Sequence, residues 1–350
     1  MRYQLLGKSG LRVSELCLGT MTFGDEWGWG SSKEESRAVY EAFLESGGNF
    51  IDTADLYTNG TSESFLGEFM ASDRERIVLA TKYTNSAPGT DPNAGGNQRK
   101  NMMQSVEASL RRLKTDYIDL YWLHVWDFTT PVEEVMRAFD DLVRQGKVLY
   151  IGISDAPAWI VARANMLAEL RGWTPFVGLQ IEYSLIERTS ERELLPMARE
   201  LDLAVTAWSP LAGGLLTGKY SQSNNADKEE KRFEHPMMAP LVDINERKQA
   251  IAAAVVDIAG AIGKSPAQVA LNWVRQKAGV MIPIIGARRL SQLRDNLDCL
   301  EFKLEAEHLQ RLNDVSQIEL GFPHDFFRNE LVQNFAFGGM RDLIDNHHAH

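Results

Sequence analysis

The sequence of 350 residues has only two cysteines, no excess of positive charge and no long uninterrupted apolar run. Cys17 and Cys299 match no metal-ligand spacing, so we expect two reduced, buried thiols and no metal site. The net charge of −11 argues against nucleic acid or an anionic membrane as a partner. Asp257 interrupts the most apolar long segment, 251–262, so we expect no membrane span.

The N-terminus also lacks the apolar stretch of a signal peptide, and we therefore expect a cytoplasmic protein. Apolar residues make up 44% and charged residues 24%, which is ordinary globular usage. We expect a single domain over 1–350, with a core to about residue 316 and a C-terminal tail at 317–350. The histidines at the very end, His347, His348 and His350, indicate a disordered tail rather than a metal site.

Eight short apolar runs recur along the chain, and an amphipathic segment follows most of them. The runs are too short for helices and are rich in β-branched or aromatic residues, which indicates buried parallel strands. They cover 16–19, 50–52, 78–81, 118–123, 148–154, 177–181, 204–208 and 280–285.

Helical patterns lie between these runs. Ser32, with Glu35 three residues later, has the pattern of a capping box, and Gly47-Gly48 ends that first helix. Further helices are predicted at 100–113, 131–145, 157–171, 191–201, 246–262, 266–276, 290–297 and 305–314.

The alternation of strands and helices predicts an α/β fold, a (β/α)8 TIM barrel. Residues 3–6 and 11–13 add an N-terminal hairpin, which we expect to plug the bottom of the barrel. An open doubly wound sheet is the alternative. It is weakened because no G-x-G-x-x-G turn follows the first strand.

Polar residues stand at the ends of three consecutive predicted strands. Asp52 and Tyr57 follow the second, Lys82 the third and His124 the fourth. Each has an ordinary structural alternative: a loop cap, a rim aromatic, a surface or Schiff-base lysine, and a satisfied core histidine. Because the C-terminal ends of barrel strands carry catalytic residues, we expect the four to converge on one rim.

This set of groups suits the reduction of a carbonyl by hydride transfer, which creates an alkoxide that needs a proton. A free tyrosine has a pKa of about 10, and a nearby ammonium lowers it. Lys82 would do so for Tyr57, and Asp52 would hold Lys82. His124 would orient the carbonyl oxygen. The same groups could also run the reaction as alcohol oxidation.

The segments NFIDTADLY, VLATKY and YWLHVWD resemble the signature segments of the aldo-keto reductase superfamily, and the similarity extends from LGKSGLRVSELCLGT to GARRLSQLRDNL. The four residues match that family's tetrad. The resemblance implies an NADP-dependent reductase of aldehydes or ketones, with NADPH or NADH bound without a Rossmann motif. The branch also resembles the β subunits of potassium channels, so a redox-sensing regulatory subunit with little turnover is the alternative. A homo-oligomer is left open.

The resemblance also implies a cofactor site at the remaining strand ends. Asp155 stands where the family usually has asparagine, so it can accept a hydrogen bond from the carboxamide but not donate one. Tyr183 would stack on the nicotinamide ring; its alternative is a core aromatic. The predicted set is Gly19, Thr20, Met21, Ser154, Asp155, Gln180, Tyr183, Ser209, Pro210, Leu211, Gly213, Lys219, Gly286, Arg288, Gln292 and Asn296.

Two further predictions concern specificity. Arg288 or Arg289 could bind a 2′-phosphate and favour NADPH, the alternative being two solvated arginines at a helix start. Four aromatics could line an apolar substrate pocket or simply pack within loops: Phe23, Trp27, Trp29 and Trp126. The run 213–219 nearly matches a P-loop, but Tyr220 follows instead of Ser or Thr, which excludes a nucleotide triphosphatase.

Overall fold

The computed structural model of the chain describes residues 1–87, 89–219 and 245–345. Its strands are β1 (Tyr3–Leu5), β2 (Arg12–Ser14), β3 (Cys17–Gly19), β4 (Phe50–Asp52), β5 (Val78–Tyr83), β6 (Ile118–Leu123), β7 (Val148–Ser154), β8 (Phe176–Glu182), β9 (Ala204–Trp208) and β10 (Met281–Gly286). The first two form an antiparallel hairpin, and the other eight close into a parallel barrel in the order β10-β3-β4-β5-β6-β7-β8-β9. The predicted (β/α)8 barrel is confirmed.

Helices surround the barrel. They are α1 (Lys33–Glu45), α2 (Thr61–Phe69), α3 (Arg99–Leu113), α4 (Val132–Arg144), α5 (Ala158–Arg171), α6 (Leu194–Glu200), α7 (Glu246–Ile262), α8 (Pro266–Arg275), α9 (Leu290–Leu297), α10 (Ala306–Ser316), α11 (His324–Arg328) and α12 (Glu330–Ala336). Ser32 caps α1 as predicted, because its side chain accepts a hydrogen bond from the Glu35 backbone. The sequence patterns missed α2 and the two short tail helices.

Alternate side chains of each barrel strand point inward and outward, as the pleat requires. On β7, Ile151 and Ile153 face out into the layer shared with the helices, whereas Tyr150 packs against the interior. The Trp122 indole fills the middle of the barrel so closely that a Cβ at Gly152 would lie 2.2 Å from it, and one at Gly178 2.8 Å. Both positions therefore require glycine.

The hairpin closes the bottom of the barrel. Leu6 and Val13 are fully buried and pack against Phe50, Val78 and Leu120, which lie at or near the starts of strands. Since that end is closed by apolar side chains, polar chemistry is left to the opposite rim, where the strands end.

Over the described ranges, no single helix is long and apolar enough to span a membrane; only α7 with α8, bent by 102° between them, reaches that length and composition together. The terminal residues His347, His348 and His350 lie outside the described residues. The run that resembles a P-loop overlaps a short turn at Ala212–Thr217, in which Gly213 and Gly214 have positive φ, and the residues that would follow it lie outside the described ones.

Candidate active site

Lys82 connects the residues predicted to be catalytic. Its side chain is fully buried on β5, and its ammonium donates to Asp52 Oδ1, to the Thr53 carbonyl at 2.7 Å and to the Tyr57 hydroxyl at 3.1 Å. All three donor positions of the ammonium are thereby used. The group is fixed in place between a carboxylate and a phenol.

Asp52 is held from two sides. One carboxylate oxygen accepts from Lys82, and the other accepts from Gln180 Nε2 at 3.0 Å. Asp52 ends β4 and Gln180 lies on β8, on the opposite side of the eight-strand ring. Gln180 was predicted only as a cofactor contact, and the structure shows that it also orients the aspartate.

The pKa of Tyr57 differs from the sequence expectation. Burial raises the pKa of Tyr57, and the opposing charge of Lys82 does not cancel that rise. Burial alone would lower the pKa of Lys82, but the negative charge of Asp52 and the interaction with the Tyr57 hydroxyl outweigh it and raise that pKa. Tyr57 thus carries its proton at neutral pH beside a charged lysine.

His124 lies just past the end of β6, with its ring centroid 6.0 Å from that of Tyr57 and the ring planes at 79°. Burial and the nearby charge of Lys82 lower the pKa of His124 to about 3. Its Nδ1 is buried and has no hydrogen-bond partner among the described residues. The imidazole is therefore neutral and able to hydrogen-bond a substrate oxygen.

The end of the next strand, β7, supplies two polar groups beside the tetrad. On the inward face of β7, the Ser154 hydroxyl is buried without a hydrogen-bond partner in the described part of the chain. Asp155 follows in a left-handed conformation (φ 42°), and its Oδ1 accepts from Trp208 Nε1 at 3.1 Å. A buried, unpaired hydroxyl is costly, so Ser154 fits a ligand group that completes its bonding.

Two predicted roles need correction. Tyr183 is fully buried outside the barrel, where its ring stacks on Trp273 of α8 at 5.3 Å and its hydroxyl donates to Glu191. It is a core aromatic and cannot stack on a ligand at the rim. Phe23 is likewise fully buried and packs against Phe69 in the layer of α1 and α2, so it does not line a pocket.

The other three aromatics lie nearer the tetrad. The Trp27 ring is 6.4 Å from that of Tyr57, and Trp29 is 5.7 Å from Trp27. Trp126 is buried, and its backbone N–H donates to the Asp155 carbonyl at 3.3 Å. Trp208, which the sequence analysis did not assign to the site, ends β9 half-buried and on the same face as Thr206.

The segment after β9 has the backbone of an anion-binding loop. Ser209, Ala212, Gly213 and Gly214 all have positive φ, between 48° and 100°. Left-handed residues near one another turn backbone N–H groups toward a common concavity, which suits phosphate. A Cβ at Gly214 would meet nothing within 4 Å, so space for a ligand remains there. Pro210 is buried beside this turn, Leu211 is half-buried, and Lys219 closes the described segment.

The remaining predicted cofactor residues lie around β3 and β10, which are neighbours. Gly19 pairs with Gly286, and Met21 lies two residues beyond Gly19. The Arg288 backbone N–H donates to Gln292 Oε1 at 2.9 Å, and Asn296 Nδ2 reaches the Gly286 carbonyl at 3.5 Å. These bonds order the turn before α9. A further contact runs from the Arg288 guanidinium to the Trp29 carbonyl at 3.5 Å.

Thr20 has a structural contact. It is fully buried, and its hydroxyl donates to the Asp52 carbonyl at 3.1 Å and lies 2.9 Å from the Ser62 hydroxyl. Through these bonds, Thr20 supports the strand end that carries Asp52.

Comparison with known proteins identifies the family of the chain. Residues 15–317 match the sequence profile of the Aldo/keto reductase family. The chain is 41% identical over 340 residues to a norsolorinic acid reductase of Emericella nidulans, which covers 93% of this chain and 84% of that protein. An aryl-alcohol dehydrogenase [NADP(+)] of Phanerodontia chrysosporium is 38% identical over 345 residues, covering 93% and 88%. An uncharacterized oxidoreductase, YrpG, of Bacillus subtilis is 40% identical over 327 residues, covering 90% and 96%.

Proposed function

The chain belongs to the Aldo/keto reductase family, and from this premise we propose that it reduces aldehydes or ketones to alcohols, with NADPH as the hydride donor and Tyr57 as the general acid. The observation that carries the proposal is the bridge that Lys82 makes between Asp52 and Tyr57. It joins a protonated phenol to a fixed positive charge at the rim where a substrate can reach it.

Bound NADPH supplies the hydride, and this chain's residues manage the proton. Tyr57 gives its proton to the carbonyl oxygen as negative charge develops there. The Lys82 ammonium, 3.1 Å from the phenol oxygen, stabilises the phenolate that remains. Asp52 and Gln180 keep Lys82 in position, and the neutral His124 hydrogen-bonds the carbonyl oxygen and orients it.

The cofactor would extend across the rim in the order of the strand ends. Ser154, Asp155 and Gln180 would hold the nicotinamide end, and Trp208 would pack against its ring. The left-handed loop at 209–214 would bind the diphosphate. Arg288 or Arg289 would bind the 2′-phosphate, which favours NADPH over NADH.

Trp27 and Trp29 support an aromatic carbonyl compound as the substrate class. They form an aromatic wall beside Tyr57, and flat rings pack favourably against one another. The names of two relatives, a norsolorinic acid reductase and an aryl-alcohol dehydrogenase, point in the same direction. The net direction in the cell depends on the supply of reduced cofactor and alcohol.

The test is a panel of aromatic and aliphatic aldehydes and ketones, assayed with NADPH and NADH in parallel. We expect turnover to be highest for aromatic carbonyls with NADPH. Tyr57→Phe should lower kcat by about 10²–10⁴-fold while NADPH affinity stays within about twofold. Tyr40→Phe is the matched control, because it removes a buried hydroxyl that has no partner among the described residues.

Two outcomes would contradict the proposal. Near-full activity in Tyr57→Phe would show that another group is the acid. Tight NADPH binding with negligible turnover across the whole panel would favour the redox-sensing regulatory subunit instead.

A further inference from the structure

Three neighbouring strand ends bring two carboxylates and an indole together. Asp155 follows β7, Glu182 ends β8 and Trp208 ends β9, with Glu182 and Trp208 paired in register. The Asp155 backbone N–H donates to the Gln180 carbonyl at 3.2 Å, and its side chain accepts from Trp208 Nε1 at 3.1 Å. Glu182 shares the inward face of β8 with Gln180, two residues before it.

No positive charge of the tetrad is left over to balance the negative charges of Asp155 and Glu182. The charge of Lys82 is matched by Asp52, its direct partner, while His124 and Tyr57 are neutral. Asp155 therefore adds net negative charge to the part of the rim that lies beside the tetrad. Glu182 adds more when it is ionised.

Their surroundings make both carboxyl groups sensitive to charge. Asp155 is open to solvent but recessed among protein atoms, and this loss of water raises its pKa, against the Trp208 hydrogen bond and the Lys82 charge. Burial and the carboxylates of Glu187 and Asp155 raise the pKa of Glu182 to about 7, against Lys248. A carboxylate that lacks full hydration gains more from a nearby cation than an exposed one does.

We propose that the Asp155 carboxylate, assisted by Glu182, makes this site bind the oxidised nicotinamide cofactor more tightly than the reduced one. The inference rests on the proposed function, which brings the nicotinamide to this end of the rim. The oxidised ring is a cation and the reduced ring is neutral, so a fixed negative charge favours only the oxidised form. Asp155 is then a residue that sets redox-state specificity, in addition to any hydrogen bond it makes.

The proposal has a consequence for the reaction. In carbonyl reduction the hydride leaves with its electron pair for the carbonyl carbon, Tyr57 supplies the proton to the oxygen, and the cofactor becomes positively charged. Negative charge at Asp155 stabilises that product state. The structure therefore biases the bound equilibrium toward alcohol, and release of the oxidised cofactor becomes slow.

Asp155→Asn isolates the charge. Asparagine has the same shape, keeps an oxygen to accept from Trp208 and tolerates the left-handed backbone at this position. The Kd values of NADP⁺ and NADPH are measured separately by calorimetry at pH 7.5. We expect NADP⁺ to bind about tenfold more weakly and NADPH to change by less than about twofold. For a two-electron couple, tenfold corresponds to a shift of about 30 mV in the bound cofactor's potential.

Companion variants test the same charge effect. Glu182→Gln should shift the ratio of the two Kd values in the same direction by a smaller factor. Asp155→Glu keeps the charge and should hold the ratio within about threefold of wild type. Glu301→Gln, an exposed acid in the groove beside the N-terminal hairpin, is the control and should leave the ratio unchanged.

The pH dependence of the ratio of the two Kd values is a further test. The carboxamide and the phosphates are the same in NADP⁺ and NADPH, so their contributions cancel in that ratio. Burial raises the pKa of Glu182 to about 7 and raises that of Asp155 above its usual value. Loss of negative charge as pH falls from 8 to 5 should therefore shrink the wild-type preference for NADP⁺. In the double variant Asp155→Asn/Glu182→Gln the ratio should be flat.

The failures are distinguishable. If wild type binds neither cofactor form, the proposed function is wrong and the inference falls with it. If both forms bind and Asp155→Asn weakens them equally, Asp155 acts only through hydrogen bonding, and this inference alone is overturned. This inference is also overturned if Asp155→Asn and Glu182→Gln both keep the wild-type ratio of the NADP⁺ and NADPH Kd values.

Discussion

Gln180 reaches across the barrel from β8 and donates its amide to Asp52 on β4, at 3.0 Å. The bond satisfies the carboxylate oxygen that Lys82 does not bind. The position of the lysine, and so of its contact with Tyr57, therefore depends on a residue four strands away around the ring.

We predict that Gln180→Met, which keeps the length of the side chain but removes the donor, destabilises the protein and slows turnover. The buried Asp52 oxygen loses a partner, which costs about 1–3 kcal/mol. Urea unfolding and kcat for an aromatic aldehyde measure the two effects. Gln310→Met, which removes only an exposed bond to Asp314 on α10, should change stability by less than about 0.5 kcal/mol. Equal effects of the two variants would show that the bond across the barrel is unimportant.

The buried ion pair predicts a double-variant result. Lys82→Met leaves the Asp52 carboxylate buried without its cation, and we expect a loss of about 3–5 kcal/mol in the free energy of unfolding. Asp52→Asn/Lys82→Met removes both charges and should recover most of that loss. Both variants should be inactive. If the double variant unfolds as easily as the single one, the destabilisation comes from packing and not from the unpaired charge.

The barrel and the tetrad could be predicted from sequence because both follow from strand ends. Each strand is a short buried run, and the residues at or just past its C-terminal end reach the rim whatever the details of packing. Asp52, Lys82 and His124 needed only this rule. Helix α2 was missed because it starts at Thr61, only four residues after Tyr57, and has no side-chain cap to mark its beginning.

Tyr183 and Trp208 show where prediction failed. Side chains alternate along a strand, so Tyr183, three residues after the inward-facing Gln180, has the outward parity. Trp208 lies two residues after the inward-facing Thr206, so its side chain also faces inward. Counting residues along β9 would therefore have identified Trp208 as a residue of the site. The raised pKa of Tyr57 could not be found in this way, because it depends on how completely the surrounding chain removes water.

The assignment of the nicotinamide contact to Trp208 instead of Tyr183 is testable. If Trp208 packs on the nicotinamide, NADPH binding should quench part of the tryptophan fluorescence, and Trp208→Phe should remove much of that quenching and weaken NADPH binding. Tyr183→Phe is the matched control, because it keeps the ring that stacks on Trp273 and loses only the bond to Glu191. It should lower stability and leave NADPH affinity unchanged. If Tyr183→Phe weakened NADPH binding and Trp208→Phe did not, Tyr183 would be the cofactor contact.

The depressed pKa of His124 predicts how stability depends on pH. Its pKa is about 3 in the folded protein against an ordinary 6.5. Between these values the unfolded chain binds a proton at this residue and the folded chain does not, so folding is penalised as pH falls. Relative to His124→Asn, the wild type should lose about 1.4 kcal/mol of stability per pH unit below about 6.5. Urea unfolding from pH 4.5 to 8 measures this, and the two curves should run parallel above about pH 7.5. Parallel curves over the whole range would mean that His124 titrates normally.

Gly214 offers the sharpest test of the phosphate loop. Its φ of 100° is unfavourable for any residue with a Cβ, although a Cβ would meet no atom within 4 Å. Gly214→Ala should therefore act through the backbone alone, costing about 1–3 kcal/mol if the loop keeps its shape. We expect the loop to relax instead and NADPH affinity to fall by tenfold or more. Gly263→Ala is closely matched, since Gly263 also has a positive φ (64°) and empty space around it, but it ends α7 and contributes nothing to the rim. It should lower stability and leave NADPH affinity intact. If both variants weaken NADPH binding equally, the effect is general destabilisation and the loop at 209–214 does not hold the diphosphate.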